Sequence, residues 1–242
     1  MVLFLLYPMH AKAGSFKVVP IKLFLDARTK TAVLRVSNNG KEKATLQLDV
    51  MMWSQDNTGK DIYEKTKDIL VFPKILTVDK GEERIVRVGY QGQQIDTREK
   101  AYRLFLRELP VSKPGEATFK FTLTLVVPIF ISSPKVLEKW SLVGGELAEG
   151  KTIVTVENSG NTHLLVKKIK VTGLNSSNGD VFSKEIGGWY VLAGVNKTYS
   201  LDIPQDECIK AQTIKIEVEV DKTIKDLKLN VDKTMCRGKR KN

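Results

Sequence analysis

The sequence predicts an all-β protein built from two β-sandwiches in tandem. Three observations carry that prediction. Short apolar segments alternate with polar residues and end in turn signals, sustained helical periodicity is absent, and one turn motif recurs at domain spacing. Successive side chains of a strand face opposite ways, so short alternating runs mark half-buried strands, and many such runs between turns mark a sandwich.

In chain order, Phe16 to Leu25 mixes Val, Ile, Leu and Phe with Lys and Pro, and Thr31 to Ser37 leads into the turn Asn38-Asn39-Gly40. Thr45 to Trp53 alternates Leu46, Leu48, Val50 and Met52 against Gln47 and Asp49. Ile69 to Val78 is broken at Pro73, which predicts an edge position or a switch between sheets, because proline cannot donate to a ladder. Arg84 to Tyr90, Ala101 to Leu109 and Thr118 to Ile131 complete the first half before Ser132-Ser133-Pro134-Lys135. In the second half, Val156-Glu157-Asn158-Ser159-Gly160 repeats Val36-Ser37-Asn38-Asn39-Gly40 at a distance of 120 positions. Leu164 to Val171 and Thr213 to Val220 are further strands. The spacing fits two sandwiches of ordinary domain size, residues 14–131 and 136–242, joined by a linker at 132–135.

The chain opens with MVLFLLYPMHAKAG: an apolar stretch, then the small-x-small site Ala11-Lys12-Ala13 before Gly14. This has the form of the back half of a secretory signal peptide, and residues 1–13 are read as its remnant rather than as a buried first strand. No apolar run approaches the roughly 20 residues that cross a bilayer as a helix. Export places Cys208 and Cys236 in an oxidising compartment, where they form a disulfide or remain two buried thiols.

The 39 Lys+Arg against 28 Asp+Glu give a net charge of +11, or +10 without residues 1–13. That raises a nucleic-acid partner, but the lysines show no interleaved aromatic platform and the chain is exported, so no nucleic acid is expected. With two histidines and two cysteines, a multi-ligand His/Cys metal centre has no residues to draw on. His163 follows a turn and reads as a polar loop-edge residue, with no Ser-His-Asp set around it. No phosphate loop and no HExxH motif occur. The expected protein is not an enzyme and needs no cofactor, catalytic residue or metal.

Two strands stand out. In Glu99 to Pro110, Tyr102, Leu104 and Leu106 share one face, and Arg103, Phe105 and Arg107 the other. In Thr118 to Leu125, Phe119, Phe121, Leu123 and Leu125 project one way, and Lys120, Thr122 and Thr124 the other. By period alone, both are ordinary sandwich strands.

Together with Pro20-x-Lys22, the Ser37-Asn38 turn and Phe72-Pro73, the stretch from Arg98-Glu99 to Leu109-Pro110 resembles the periplasmic pilus-assembly chaperones of the chaperone–usher pathway, the PapD-like superfamily. The Tyr102-Arg103-Leu104 spelling and the long cysteine spacing are similar to its archaic, non-prototype branch. The resemblance implies two immunoglobulin-like domains set at an angle and a periplasmic location. It implies donor-strand complementation, in which Phe119, Phe121, Leu123 and Leu125 fill the groove of a pilus or fimbrial subunit whose immunoglobulin-like fold is incomplete. It implies that Lys22 anchors the subunit's terminal carboxylate. The family's second basic anchor has no match at Val127-Pro128-Ile129-Phe130, and Arg103 is taken as its substitute. The arginine expected before Pro134 is replaced by Ser133, which leaves Glu108 without an obvious partner. The other expected partner is an outer-membrane usher, and an exposed apolar strand is compatible with a self-capping dimer in the free protein. The alternative is a secreted two-domain adhesion or carbohydrate-binding module.

Overall fold

The computed structural model describes residues 16–93, 97–110 and 122–237. The leader 1–13, Phe119 and Phe121 lie outside the described residues. Nearly every element is a strand. The first ten are β1 (Phe16–Val19), β2 (Leu23–Leu25), β3 (Thr31–Asn38), β4 (Ala44–Gln55), β5 (Asp61–Lys65), β6 (Ile69–Phe72), β7 (Ile75–Val78), β8 (Glu83–Tyr90), β9 (Lys100–Glu108) and β10 (Thr124–Ile131). There follow β11 (Trp140–Ala148), β12 (Lys151–Asn158), β13 (Leu164–Leu174), β14 (Asp180–Gly187), β15 (Tyr190–Val191) and β16 (Asn196–Asp202). A single-turn helix α1 (Gln205–Cys208) precedes β17 (Thr213–Val220) and β18 (Thr223–Asn230), and a 3-10 turn at Lys233–Cys236 ends the described chain.

One sheet of the first half runs β1-β3-β8-β6 and the other β2-β10-β9-β4-β5, with β7 also paired to β4. The segment 16–25, read from the sequence as one strand, changes sheets at the cis Val19-Pro20 bond, and Ile69 to Val78 changes sheets at the cis Phe72-Pro73 bond. The sheet switch expected at Pro73 is thus found; the one at Pro20 follows the same reasoning, since both prolines interrupt a ladder. Leu34, Val36, Val86 and Val88 of one sheet and Leu46, Leu48, Tyr102, Leu104, Leu106, Val127 and Ile129 of the other are all buried, so the alternation seen in the sequence packs the two inner faces.

The second half pairs β11-β12-β16 in one sheet and β14-β13-β17-β18 in the other, with β15 beside β13. Its core includes Val154, Val156, Ile169, Val171, Ile214, Ile216 and Val218. Cys208 of α1 and Cys236 are bonded within that core, both almost fully buried. The protein is a two-domain immunoglobulin-like β-sandwich protein.

By contacts, the chain forms two compact units. One comprises Met1–Met52, Lys65–Gln93 and Tyr102–Phe130; the other comprises Trp53–Glu64, Gln94–Ala101 and Ile131–Asn242. Within the second unit, the Gln55 amide donates to the Tyr190 carbonyl and accepts from the Leu192 N–H, as a neighbouring strand would. The Trp189 indole N–H donates to Asp61. These bonds give β5 a place that its charged, poorly alternating sequence does not announce.

Candidate functional site

The first unit's β10 lies between β2 and β9. Lys22, half-buried, immediately precedes β2, and Arg103 is in β9, so one basic residue stands at the start of one strand beside β10 and the other within the strand on its other side. Strands are spaced about 4.8 Å apart, which separates the flanking backbones by roughly 10 Å. Two long cationic side chains can converge on one carboxylate across that span.

Arg103 occupies the face opposite Tyr102, Leu104 and Leu106, as its spacing predicts, yet it is only 5% exposed. The burial reaches the guanidinium, whose Nε and one terminal nitrogen are shielded from solvent; a central strand such as β9 has neighbours on both sides to cover it, and the sequence alone does not reveal that β9 is central. Arg107, on the same face, pairs with Asp49 of β4 at 2.6 Å and lies 5.0 Å from the centre of the Phe105 ring. Below the sheet, the Tyr102 hydroxyl donates to Asp68 at 2.6 Å. Burial, and then that acceptor, push the phenol far above its ordinary value. Tyr102 therefore ties β9 to the bend that leads into β6, one residue before Arg103.

The Glu108 N–H donates to the Leu123 carbonyl at 2.9 Å, and the Leu123 N–H donates to a Glu108 carboxylate oxygen at 3.3 Å. Glu108, left without a partner by sequence reasoning, closes the β9–β10 ladder. Counted antiparallel from this pair, Leu106 faces Leu125, Leu104 faces Val127 and Tyr102 faces Ile129, all on the core side, while Arg103 faces Pro128. Leu125, Val127 and Ile129 share one parity, and exposure rises toward the start of the strand: Val127 and Ile129 are buried, Leu125 is half-buried and Leu123 is 36% exposed. The face that fills this sandwich's own core at one end emerges from it at the other. Moreover, β2 has three residues against the eight of β10, so most of the latter's second edge is not covered by β2.

Sequence reasoning missed a cluster around Glu99, which is 3% exposed on its side chain. In the second unit its two oxygens accept from the His163 backbone N–H at 3.0 Å and the Thr162 hydroxyl at 2.9 Å, and its Oε1 lies 2.8 Å from His163 Nδ1. His163 is the loop-edge residue that its place in the sequence predicts, directly before β13, and is in addition the partner of a buried carboxylate. The only signal was the charged Arg98-Glu99-Lys100 run at the start of β9, which reads as solvated. Among the described residues, no group of three or more His, Cys, Asp or Glu is placed to hold a metal ion.

Residues 15–138 match the family model described as pili and flagellar-assembly chaperone, PapD N-terminal domain. No curated protein matches the sequence. Among solved structures, one chain of the CsuC–CsuE chaperone–tip adhesion subunit pre-assembly complex from the archaic chaperone–usher Csu pili of Acinetobacter baumannii is 21% identical. That alignment covers 88% of this chain and 97% of that chain with a TM-score of 0.57. A chain of the Salmonella enterica SafA pilin–SafB chaperone complex is 16% identical, with 90% of this chain and 98% of that chain covered and a TM-score of 0.58. The Pseudomonas aeruginosa CupB2 chaperone is 14% identical, covers 89% of this chain and 100% of its own, and has a TM-score of 0.53. At these identities the structural matches establish the shared two-sandwich fold. The family match covers more than half of the sequence, and the chain belongs to the PapD-like family of pilus-assembly chaperones.

Proposed function

We propose that the protein is a periplasmic chaperone of the archaic branch that folds and caps pilus subunits by donor-strand complementation, prevents their premature assembly and delivers them to an outer-membrane usher. The observation that carries the reading is β10: its apolar parity leaves the sandwich core toward Leu125 and Leu123, β2 covers less than half its length, and Lys22 just ahead of β2 and Arg103 in β9 stand to its two sides. A subunit with an incomplete immunoglobulin-like fold exposes an apolar groove and an unpaired edge, which aggregates unless another strand covers it. Residues 14–131 carry the activity, with Phe119, Phe121, Leu123 and Leu125 as groove-filling side chains. Each large side chain fully buried contributes about 1.5 to 3 kcal/mol, so four contribute a gross 6 to 12 kcal/mol before association costs, roughly, are subtracted.

Lys22 and Arg103 hold the subunit's terminal carboxylate. A charge-assisted hydrogen bond contributes about 1.5 to 3 kcal/mol and fixes the pairing register, because every other donor-strand contact tolerates a shift by two residues. Co-expression with a cognate subunit is expected to give a soluble one-to-one complex. Lys22→Ala and Arg103→Ala are each expected to reduce its yield at least tenfold, while Lys17→Ala, on edge strand β1 of the other sheet, leaves it unchanged. Capture at wild-type level by both anchor variants would overturn the anchor assignment.

A further inference from the structure

The geometry points to a specificity element beside the anchor: we propose that Phe24 is an apolar platform for the side chain of the terminal residue whose carboxylate Lys22 and Arg103 hold. This rests on the chaperone reading above and deepens it by naming the preferred ligand terminus, a free carboxylate on a bulky apolar or aromatic residue. Phe24 lies between the buried Leu23 and Leu25 on the outer face of β2 and is 56% exposed. Its ring stacks on that of Phe130 in β10, with centroids 5.7 Å apart and planes inclined by 27°. Phe130 is fully buried, so the exposed ring is held in place from beneath.

A single exposed apolar side chain is ordinary on a protein surface. This one is set apart by its neighbours. Lys22 is two residues away, about 7 Å along an extended chain, and Ile21, 72% exposed, stands on the other side of the lysine. The ladder that places Arg103 opposite Pro128 brings the second cation within two residues of Phe130. The aromatic stack therefore spans β2 and β10, with Lys22 just ahead of β2 and Arg103 on β9, the next strand beyond β10. A carboxylate drawn to those cations brings its own side chain within reach of the ring, and the positive charge on both flanks selects an anionic terminus over a neutral one. A fixed aromatic surface favours a large apolar side chain there by about tenfold over alanine, the scale of one aromatic contact.

The test uses the full chain and synthetic peptides of about a dozen alternating Val and Thr residues, read by fluorescence anisotropy. They end in Phe carboxylate, Ala carboxylate or Phe carboxamide. The wild type is expected to bind the Phe carboxylate about tenfold more tightly than the Ala carboxylate. In Phe24→Ala that ratio falls to near one, and in Phe24→Leu it is intermediate. Amidation weakens binding in wild type and Phe24→Ala alike. A Phe-to-Ala ratio unchanged in Phe24→Ala overturns the platform. An unchanged affinity on amidation with the ratio intact overturns the carboxylate anchor and leaves the platform standing. If no peptide binds the wild type, both are overturned.

Discussion

Asn38 and Asn158 hold equivalent places in the two sandwiches. The Asn38 amide donates to the carbonyls of Glu42 and Val78, and its oxygen accepts from the Gly40 N–H. The Asn158 amide donates to the carbonyls of Thr162 and Val191, and its oxygen accepts from the Gly160 N–H. Both side chains are buried, so each satisfies backbone groups that water does not reach. The five-residue repeat in the sequence thus marks a repeated hydrogen-bond scheme, which ties the turn after β3 or β12 to a strand elsewhere in the same domain. Asn38→Ala and Asn158→Ala are each expected to destabilise by about 2 to 4 kcal/mol, since several buried backbone groups lose their partners together. Urea denaturation of the two variants checks this; a loss under 1 kcal/mol, roughly, would show that the turns hold without the amides. Residue identity alone was less informative elsewhere. Asn175, in an Asn-Ser-Ser pattern, accepts from the N–H groups of Ser177 and Gly179 and so organises a turn.

At the level of elements, strand existence was legible wherever burial alternates. Leu46 and Leu48 in β4, Tyr102, Leu104 and Leu106 in β9, and Ile214, Ile216 and Val218 in β17 all fall on the buried faces that their spacing predicts. Strand β5 was not legible: Asp61-Ile-Tyr-Glu-Lys65 is largely exposed and takes its position from pairing with β4 and the bonds of Asp61. The order of strands within a sheet was equally out of reach, and with it the burial of Arg103 and the closure of β9 on β10 by Glu108. Those depend on which strands become neighbours in space, which alternation does not encode. The candidate site was legible as a set of residue types, Lys22, Arg103, Leu123 and Leu125, but the aromatic stack beside it and the Glu99–His163 cluster were not, because each joins side chains from distant stretches of sequence.

At the scale of the whole molecule, the net charge is +11, and among the described residues many surface charges stand in exposed pairs. Lys167 and Lys168 on β13 meet Glu219 and Glu185, and Lys215 meets Glu217 on β17 itself, so the outer face of that sheet is a mixed lattice of charges. Exposed pairs of this kind contribute little stability, but they keep a sheet surface soluble. The Cys208–Cys236 disulfide does more. It closes a span of 28 residues that contains β17 and β18, the latter largely exposed. On the loop-entropy account such a link stabilises by about 3 kcal/mol. Replacing both cysteines by serine is expected to lower stability toward urea by at least that amount, through lost cross-linking and through hydroxyls placed in an apolar core; an unchanged midpoint would contradict the buried, bonded pair.

The central claim is that the leading end of β10 completes another protein's fold, and one measurement tests it most directly. Phe121→Asp combined with Leu123→Asp puts two charges on the proposed donor segment, where Leu123 is 36% exposed. The doubly substituted protein is expected to fold with wild-type stability but to yield no soluble one-to-one complex when co-expressed with the cognate subunit, which is degraded or aggregates. A complex recovered in wild-type yield would contradict donor-strand complementation by this strand.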